Sequence, residues 1–343
     1  MLRNLEKPFH VSFEITSKCD FNCNFCYARL NSTRKRDLHT EQVKKIIKKL
    51  ADERIYSLFL SGGEPFLRKD LEELVEYSLD NKVNVSISSN GANISKERAK
   101  KLIETGIDTK HVQLSIHSYD EVHDFLVGKP GAVKDCLTGL RNLIDFGGNP
   151  VVAAVVTKYN CEKLPELARR LISMGVSHFR VLRLMVHSKE MLKMIPPFEM
   201  LRKTVEKLEK IEKETGVEIA VHAPPGFVEM TKGRKQYELV HPMCHTCSAG
   251  KISIGIFSDG TVTPCLELRD KKFECGNILT DSIKDIWNSK VMRYHREITP
   301  EDYAGKCGKC KSKWSCYSAR CSAYSIYNDF LADDATCYLL SKS

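Results

Sequence analysis

Apolar residues along the chain fall into two alternating patterns, short β-branched runs of strand length and longer stretches with helical spacing. Residues 11–15 (VSFEI) form the first run, and Thr40 opens a segment that carries Val43, Ile46, Ile47 and Leu50 on one helical face. Residues 55–60 (IYSLFL) are nearly all apolar, as expected of a strand buried in a parallel sheet. Beyond them the pattern predicts helices over 69–81, 95–105, 132–146, 164–174 and 198–214, and strands over 83–88, 111–116, 151–157 and 178–184. The stretch from His123 to Gly131 reads as a loop. Six strand–helix units with short connections imply parallel strands joined by crossovers, with ligands at the C-terminal ends of the strands.

After residue 235 the pattern breaks up and cysteines become frequent, so the chain divides into a large domain, 1–235, and a smaller one, 236–343. A hydrophobic content of 42% supplies a core for both. No apolar run is long enough for a bilayer, and the opening MLRNLEKPFHVSFEI lacks a secretory signal, so the expected compartment is the cytoplasm. In that reducing setting the 14 cysteines read as metal ligands rather than disulfides. The net charge of +9 comes mainly from lysines spread over helical faces, which makes a solvated surface the simpler explanation and nucleic acid an unlikely partner.

Residues 19–27 read CDFNCNFCY and place Cys19, Cys23 and Cys26 at a Cys-x3-Cys-x2-Cys spacing. A closed zinc or four-iron site takes four protein ligands. Three thiolates in one tight loop leave one iron of a four-iron cluster open to a ligand, unless a distant fourth residue completes a zinc knuckle. The second strand ends in Ser61-Gly62-Gly63-Glu64-Pro65, a turn in which adjacent glycines let the backbone approach a ligand closely. Together these motifs resemble the radical S-adenosylmethionine (SAM) enzymes. The resemblance implies a partial (β/α)6 TIM-like barrel. It also implies a 4Fe-4S cluster on Cys19, Cys23 and Cys26 whose open iron chelates SAM, and reductive cleavage of SAM to a 5′-deoxyadenosyl radical. It further assigns cofactor binding to Tyr27, to Gly62, Gly63, Glu64 and Pro65, and to the strand-end residues Ser88, Asn90 and Ser115. His117 stands where many relatives carry an aspartate and is a candidate to face the substrate.

The last hundred residues contain Cys244, Cys247, Cys265, Cys275, Cys307, Cys310, Cys316, Cys321 and Cys337. A hairpin over 252–256 and 261–263, turning at Ser258-Asp259-Gly260, would present Cys265. The arrangement resembles the SPASM extension of radical SAM enzymes, with short helices and auxiliary 4Fe-4S clusters. By that resemblance Cys244, Cys247, Cys265 and Cys321 hold one auxiliary cluster, and Cys307, Cys310, Cys316 and Cys337 hold the second. Cys316 to Cys321 is one residue longer than the usual spacing, and Cys275 is a ninth thiol without a place. A pair of zinc sites is the alternative. Cys136 and Cys161 read as buried filler.

The expected reaction is hydrogen abstraction from a peptide or protein side chain, with electrons from a donor such as ferredoxin or flavodoxin. A small-molecule substrate in cofactor, haem or tetrapyrrole biosynthesis is the alternative. A non-catalytic iron–sulfur carrier or zinc-binding nucleic-acid protein would not need the Gly-Gly-Glu-Pro turn. Eighteen residues precede Cys19, too few for the fused peptide-binding domain of many peptide-modifying relatives, so a separate partner or direct docking is expected. Leu266 follows Cys265 where anaerobic sulfatase maturases carry an aspartate, so that activity is not assigned. No catalytic side chain is assigned.

Overall fold

The computed structural model describes residues 5–30, 36–231, 247–314, 316 and 318–340. Seven parallel strands follow one another in space as in sequence: β1 His10–Glu14, β2 Ser57–Ser61, β3 Asn84–Ser89, β4 Val112–Ser115, β5 Val151–Val156, β6 His178–Arg183 and β7 Glu218–His222. On the free edge of β1 lies β8 Ser253–Ile256, also parallel, followed by antiparallel β9 Thr261–Thr263 and β10 Gly276–Asn277. The expected hairpin is therefore present, and it extends the barrel sheet. The expected division between residues 235 and 236 falls in 232–246, outside the described residues.

Side chains alternate across the sheet. Val11 and Phe13, Leu58 and Leu60, Val85 and Ile87, Val112 and Leu114, and Phe179 and Val181 join the core shared with the covering helices. The helix Thr40–Asp52 contributes Val43, Ile46, Ile47 and Leu50, all buried, and starts at a capping box between His39 and Gln42. Lys96–Glu104 begins where Ser95 Oγ accepts from Arg98 N. The opposite face of the strands carries His10, Ser12, Ser57, Ser86, Gln113 and Arg180, so the lumen is polar.

Two elements differ from the expected pattern. Residues Glu121–Val127, within the expected loop, form a helix capped by Asp120 and ended by Gly128 at φ 64°. The strand β7 adds a seventh parallel member, its core-facing residues being only Ile219 and Val221. Two such positions are too few to give a strand signal next to a long helix.

Candidate active site and cysteine-lined cavities

The cysteine triplet occupies the loop leaving the C-terminal end of β1. Its entry is fixed by Asp37, whose carboxylate accepts from Thr16 Oγ1 (2.6 Å), Ser17 N (2.8 Å) and Ser17 Oγ (2.9 Å). Its middle rests on the helix Glu121–Val127, with Asn22 N and Asn24 N donating to the carbonyls of Val127 and Leu126, each at 2.9 Å. A Cβ on Gly128 would stand 2.5 Å from Asn22 O, so only glycine allows this approach. Phe25, just before Cys26, packs edge-on against His117 at 5.1 Å, and His117 stacks on His123 at 5.4 Å. His117 is buried and its Nδ1 accepts from Val155 N at 3.2 Å; it supports the loop from beneath and does not face open lumen.

The Gly-Gly-Glu-Pro turn presses on the same loop. Gly63 N donates to Thr16 O (2.8 Å) and Glu64 N to Lys18 O (2.7 Å). A Cβ on Gly63 would lie 2.0 Å from Lys18 O, and one on Gly62 would lie 2.4 Å from Thr16 O. Pro65 is buried, and Glu64 turns inward to accept from Phe66 N (2.9 Å), Ser89 Oγ (2.8 Å) and Asn90 N (2.7 Å). Burial pushes its carboxyl up to about 7 in spite of these three bonds. Asn90 Nδ2 donates to Asp20 Oδ1 (3.1 Å), and Lys129 Nζ holds Asp20 Oδ2 (2.7 Å). The turn, the end of β3 and the cysteine loop are thus one hydrogen-bonded unit. Ser88 and Ser115 sit half-buried near the ends of β3 and β4, their hydroxyls bonded to no described residue.

Tyr27 joins this unit to the C-terminal part. Its ring lies 5.5 Å from the Arg269 guanidinium and 5.9 Å from the His187 ring. Arg269 pairs with Glu14 at the end of β1, both side chains being 2% exposed. Glu267 Oε2 accepts from Cys321 Sγ at 2.9 Å and lies 3.3 Å from His187 Nε2. None of these four charged or titratable residues was singled out from the sequence. Glu14 carried one available signal, charge in a run that otherwise reads as a buried strand.

The cysteines of the second field separate into two groups. Cys247, Cys265 and Cys321 line one cavity of about 30 Å³, together with Lys251, His295, Tyr303 and Arg320. Cys244 lies outside the described residues. Cys307, Cys310, Cys316 and Cys337 line a second cavity of about 230 Å³, closed on one side by Pro225 and Gly226 from the segment after β7. Cys275 borders neither; its thiol donates to Phe273 O at 3.3 Å. Cys136 and Cys161 are fully buried.

On β6 and β7, Arg180 and Arg183 come near His222, with Leu182 in register with His222. Burial and the two guanidiniums push His222 down to about 4, so its ring is neutral at neutral pH and the arginines carry the charge. This group was missed because β7 itself was missed.

These residues fit iron–sulfur groups. In the first cavity Arg320 Nε and Nη2 and His295 Nε2 are buried with no hydrogen-bond partner among the described residues, an arrangement that suits a negatively charged, sulfide-bearing occupant. Burial pushes the Cys265 and Cys321 thiols up, so ligation releases their protons. In the second cavity four thiols converge, the full ligand set of a four-iron cluster. The triplet at the mouth of the barrel offers three.

Comparison with known proteins agrees with this geometry. Residues 13–171 match the radical SAM superfamily, and residues 241–311 match the SPASM iron–sulfur cluster-binding domain. An AdoMet-dependent heme synthase of Methanosarcina barkeri is 26% identical over 98% of this chain and 98% of that protein. The mycofactocin maturase MftC of Mycolicibacterium smegmatis is 28% identical over 90% of this chain and 76% of its own. The structure of Streptococcus suis SuiB bound to S-adenosylmethionine superposes with a TM-score of 0.76 at 18% identity, covering 97% of this chain and 78% of that one. With the motifs, the partial barrel and the thiol-lined cavities in place, the chain belongs to the radical SAM superfamily and is a radical SAM enzyme with a C-terminal SPASM domain.

Proposed function

We propose that the enzyme modifies a side chain of a peptide or protein by abstracting one hydrogen. Such a cluster would supply the electron that breaks the S–C5′ bond of SAM, releasing methionine and a 5′-deoxyadenosyl radical that would take the hydrogen. Cys19, Cys23 and Cys26 would hold that cluster. Tyr27, Gly62, Gly63, Glu64, Pro65, Ser88, Asn90 and Ser115 would shape the SAM site, the free hydroxyls of Ser88 and Ser115 by direct contact. Glu64, with both oxygens already engaged, acts through Ser89 and Asn90 as a positioning residue. Cys244, Cys247, Cys265 and Cys321 would ligate the first auxiliary cluster, and Cys307, Cys310, Cys316 and Cys337 the second. The proposed setting is a reducing cytoplasm with ferredoxin or flavodoxin as donor; no described helix is long and apolar enough to cross a membrane.

The observation that carries the reading is that a loop with only three thiols leaves β1 on the Gly-Gly-Glu-Pro turn, in a chain that also holds a cavity lined by a complete set of four thiols. The peptide assignment draws on relatives named as maturases and on the SuiB fold, which has also been solved with its precursor peptide SuiA. A second reading, a tetrapyrrole substrate, is favoured by the relatives named as heme synthases and by the cationic Arg180 and Arg183, which suit propionate carboxylates.

Two measurements test this. Anaerobic reconstitution should yield about twelve irons per chain with little zinc; about four would leave the barrel chemistry and remove the auxiliary clusters. Deuterium from a labelled peptide should appear in 5′-deoxyadenosine; transfer only from a labelled tetrapyrrole would replace the peptide reading with the second.

A further inference from the structure

The segment around the second cysteine cavity reads Lys306-Cys307-Gly308-Lys309-Cys310-Lys311-Ser312-Lys313-Trp314, with a lysine beside two of the four ligand positions, Cys307 and Cys310. Lys306, Lys309 and Lys311 are exposed, and Trp314 presents 53% of its surface to solvent. The cavity itself is bordered by Lys306 and Lys313, and its thiol Cys310 is half-buried between two of the exposed lysines.

Neighbouring carboxylates meet part of this face. Glu301 is taken by Lys313 Nζ (2.7 Å) and Trp314 Nε1 (3.1 Å). Asp302 caps its own turn, accepting from Thr299 N (2.8 Å) and Oγ1 (2.9 Å). Asp333 accepts from Cys307 N (2.7 Å), and Asp334 accepts from Ala319 N (3.2 Å) and Thr336 Oγ1 (2.6 Å). Lys309 and Lys311 make no ion pair with any described residue. Lys309 and Lys311, on either side of Cys310, therefore present positive charge to an external anion beside a thiol-lined opening.

We propose that this lysine face is the docking site of a small acidic one-electron carrier protein, with Trp314 as its apolar contact. The inference rests on the reading that Cys307, Cys310, Cys316 and Cys337 hold a cluster. A carrier seated here lies directly over that cavity. Complementary charge also brings such a partner in quickly and lets it leave after transfer, which a turnover partner needs.

Binding of purified flavodoxin to the reconstituted full chain, titrated by calorimetry at several salt concentrations, tests the proposal. The wild type should bind more weakly as salt rises. The Lys309→Glu/Lys311→Glu double variant should raise Kd by about tenfold or more and flatten the salt dependence. Lys309→Gln/Lys311→Gln should fall between. Iron content and dithionite-driven SAM cleavage, which test the enzyme reading separately, should not change in either variant. Equal Kd for wild type and the double Glu variant, absence of binding, or loss of iron together with binding would each overturn the docking site. So would displacement of flavodoxin by single-stranded DNA or an acidic peptide at comparable concentration.

Discussion

At the scale of single residues, the site depends on two kinds of position: thiols that hold iron, and glycines whose missing side chains let backbones touch. Replacing Cys23 by Ala should abolish SAM cleavage and remove about four irons while leaving those of the C-terminal thiols; retained cleavage would show that the triplet is not the SAM site. Gly63→Ala tests the second kind. Its Cβ would meet Lys18 O at 2.0 Å, a backbone atom that cannot rotate away. The loop must shift, at a cost of about 1–3 kcal/mol by the measure of overpacked cores. The expected result is a lower urea midpoint and weaker SAM binding; an unchanged midpoint with wild-type SAM affinity would refute the close approach. The sequence made Cys23 and Gly63 legible because each belongs to a spaced motif. Arg269, Glu14 and His187 were not legible, since residues that meet only in space leave no spacing to read.

At the scale of elements, the Glu121–Val127 helix and the C-terminal segment act as supports. The helix carries the cysteine loop on its last carbonyls, which a sequence full of turn formers, Gly128-Lys129-Pro130-Gly131, conceals. The C-terminal segment is pinned to the barrel where Tyr338 OH donates to Pro196 O at 2.7 Å and its ring meets Phe198 edge-on at 5.5 Å. That anchor lies next to Cys337, so it sets one wall of the second cavity. Tyr338→Phe keeps the ring and removes the hydrogen bond, leaving a buried carbonyl unpaired, and should cost about 1–2 kcal/mol in urea unfolding. Iron bound by the second group should become easier to chelate, with SAM cleavage unaffected. Equal chelation rates for wild type and variant would mean that the anchor does not hold the cavity.

At the scale of the whole molecule, the sheet is continuous from β10 through β1 to β7, so barrel and hairpin share hydrogen bonds. Burial has a common electrostatic consequence. His123, His222 and His295 are each pushed down to about 4, and His117 is lowered too. Below pH 6.5 the unfolded chain binds protons that the folded chain refuses, so stability falls as pH drops towards 4. Each histidine contributes up to about 2 kcal/mol of this loss at pH 5. Glu64 works the other way: its carboxyl, raised to about 7, gains protons in the folded state first and favours folding as pH falls below 7. His10 is lowered as well, and one group against five leaves a net loss. The urea midpoint should be lower at pH 5 than at pH 7.5, and an equal or higher midpoint at pH 5 would contradict the buried-neutral histidines.

The sequence by itself determined the alternation of strands and helices, the open cysteine triplet, the Gly-Gly-Glu-Pro turn and the hairpin that presents Cys265. Each is local, a matter of periodicity or spacing within a few residues. Only the tertiary structure decided which distant groups face one another: that Glu64 supports Ser89 and Asn90, and that Cys275 stands apart from both cavities. It also decided that Arg180 and Arg183 come near His222. Such juxtapositions arise when separate strands and loops pack against a common core, and packing brings together residues whose separation along the chain carries no record of it.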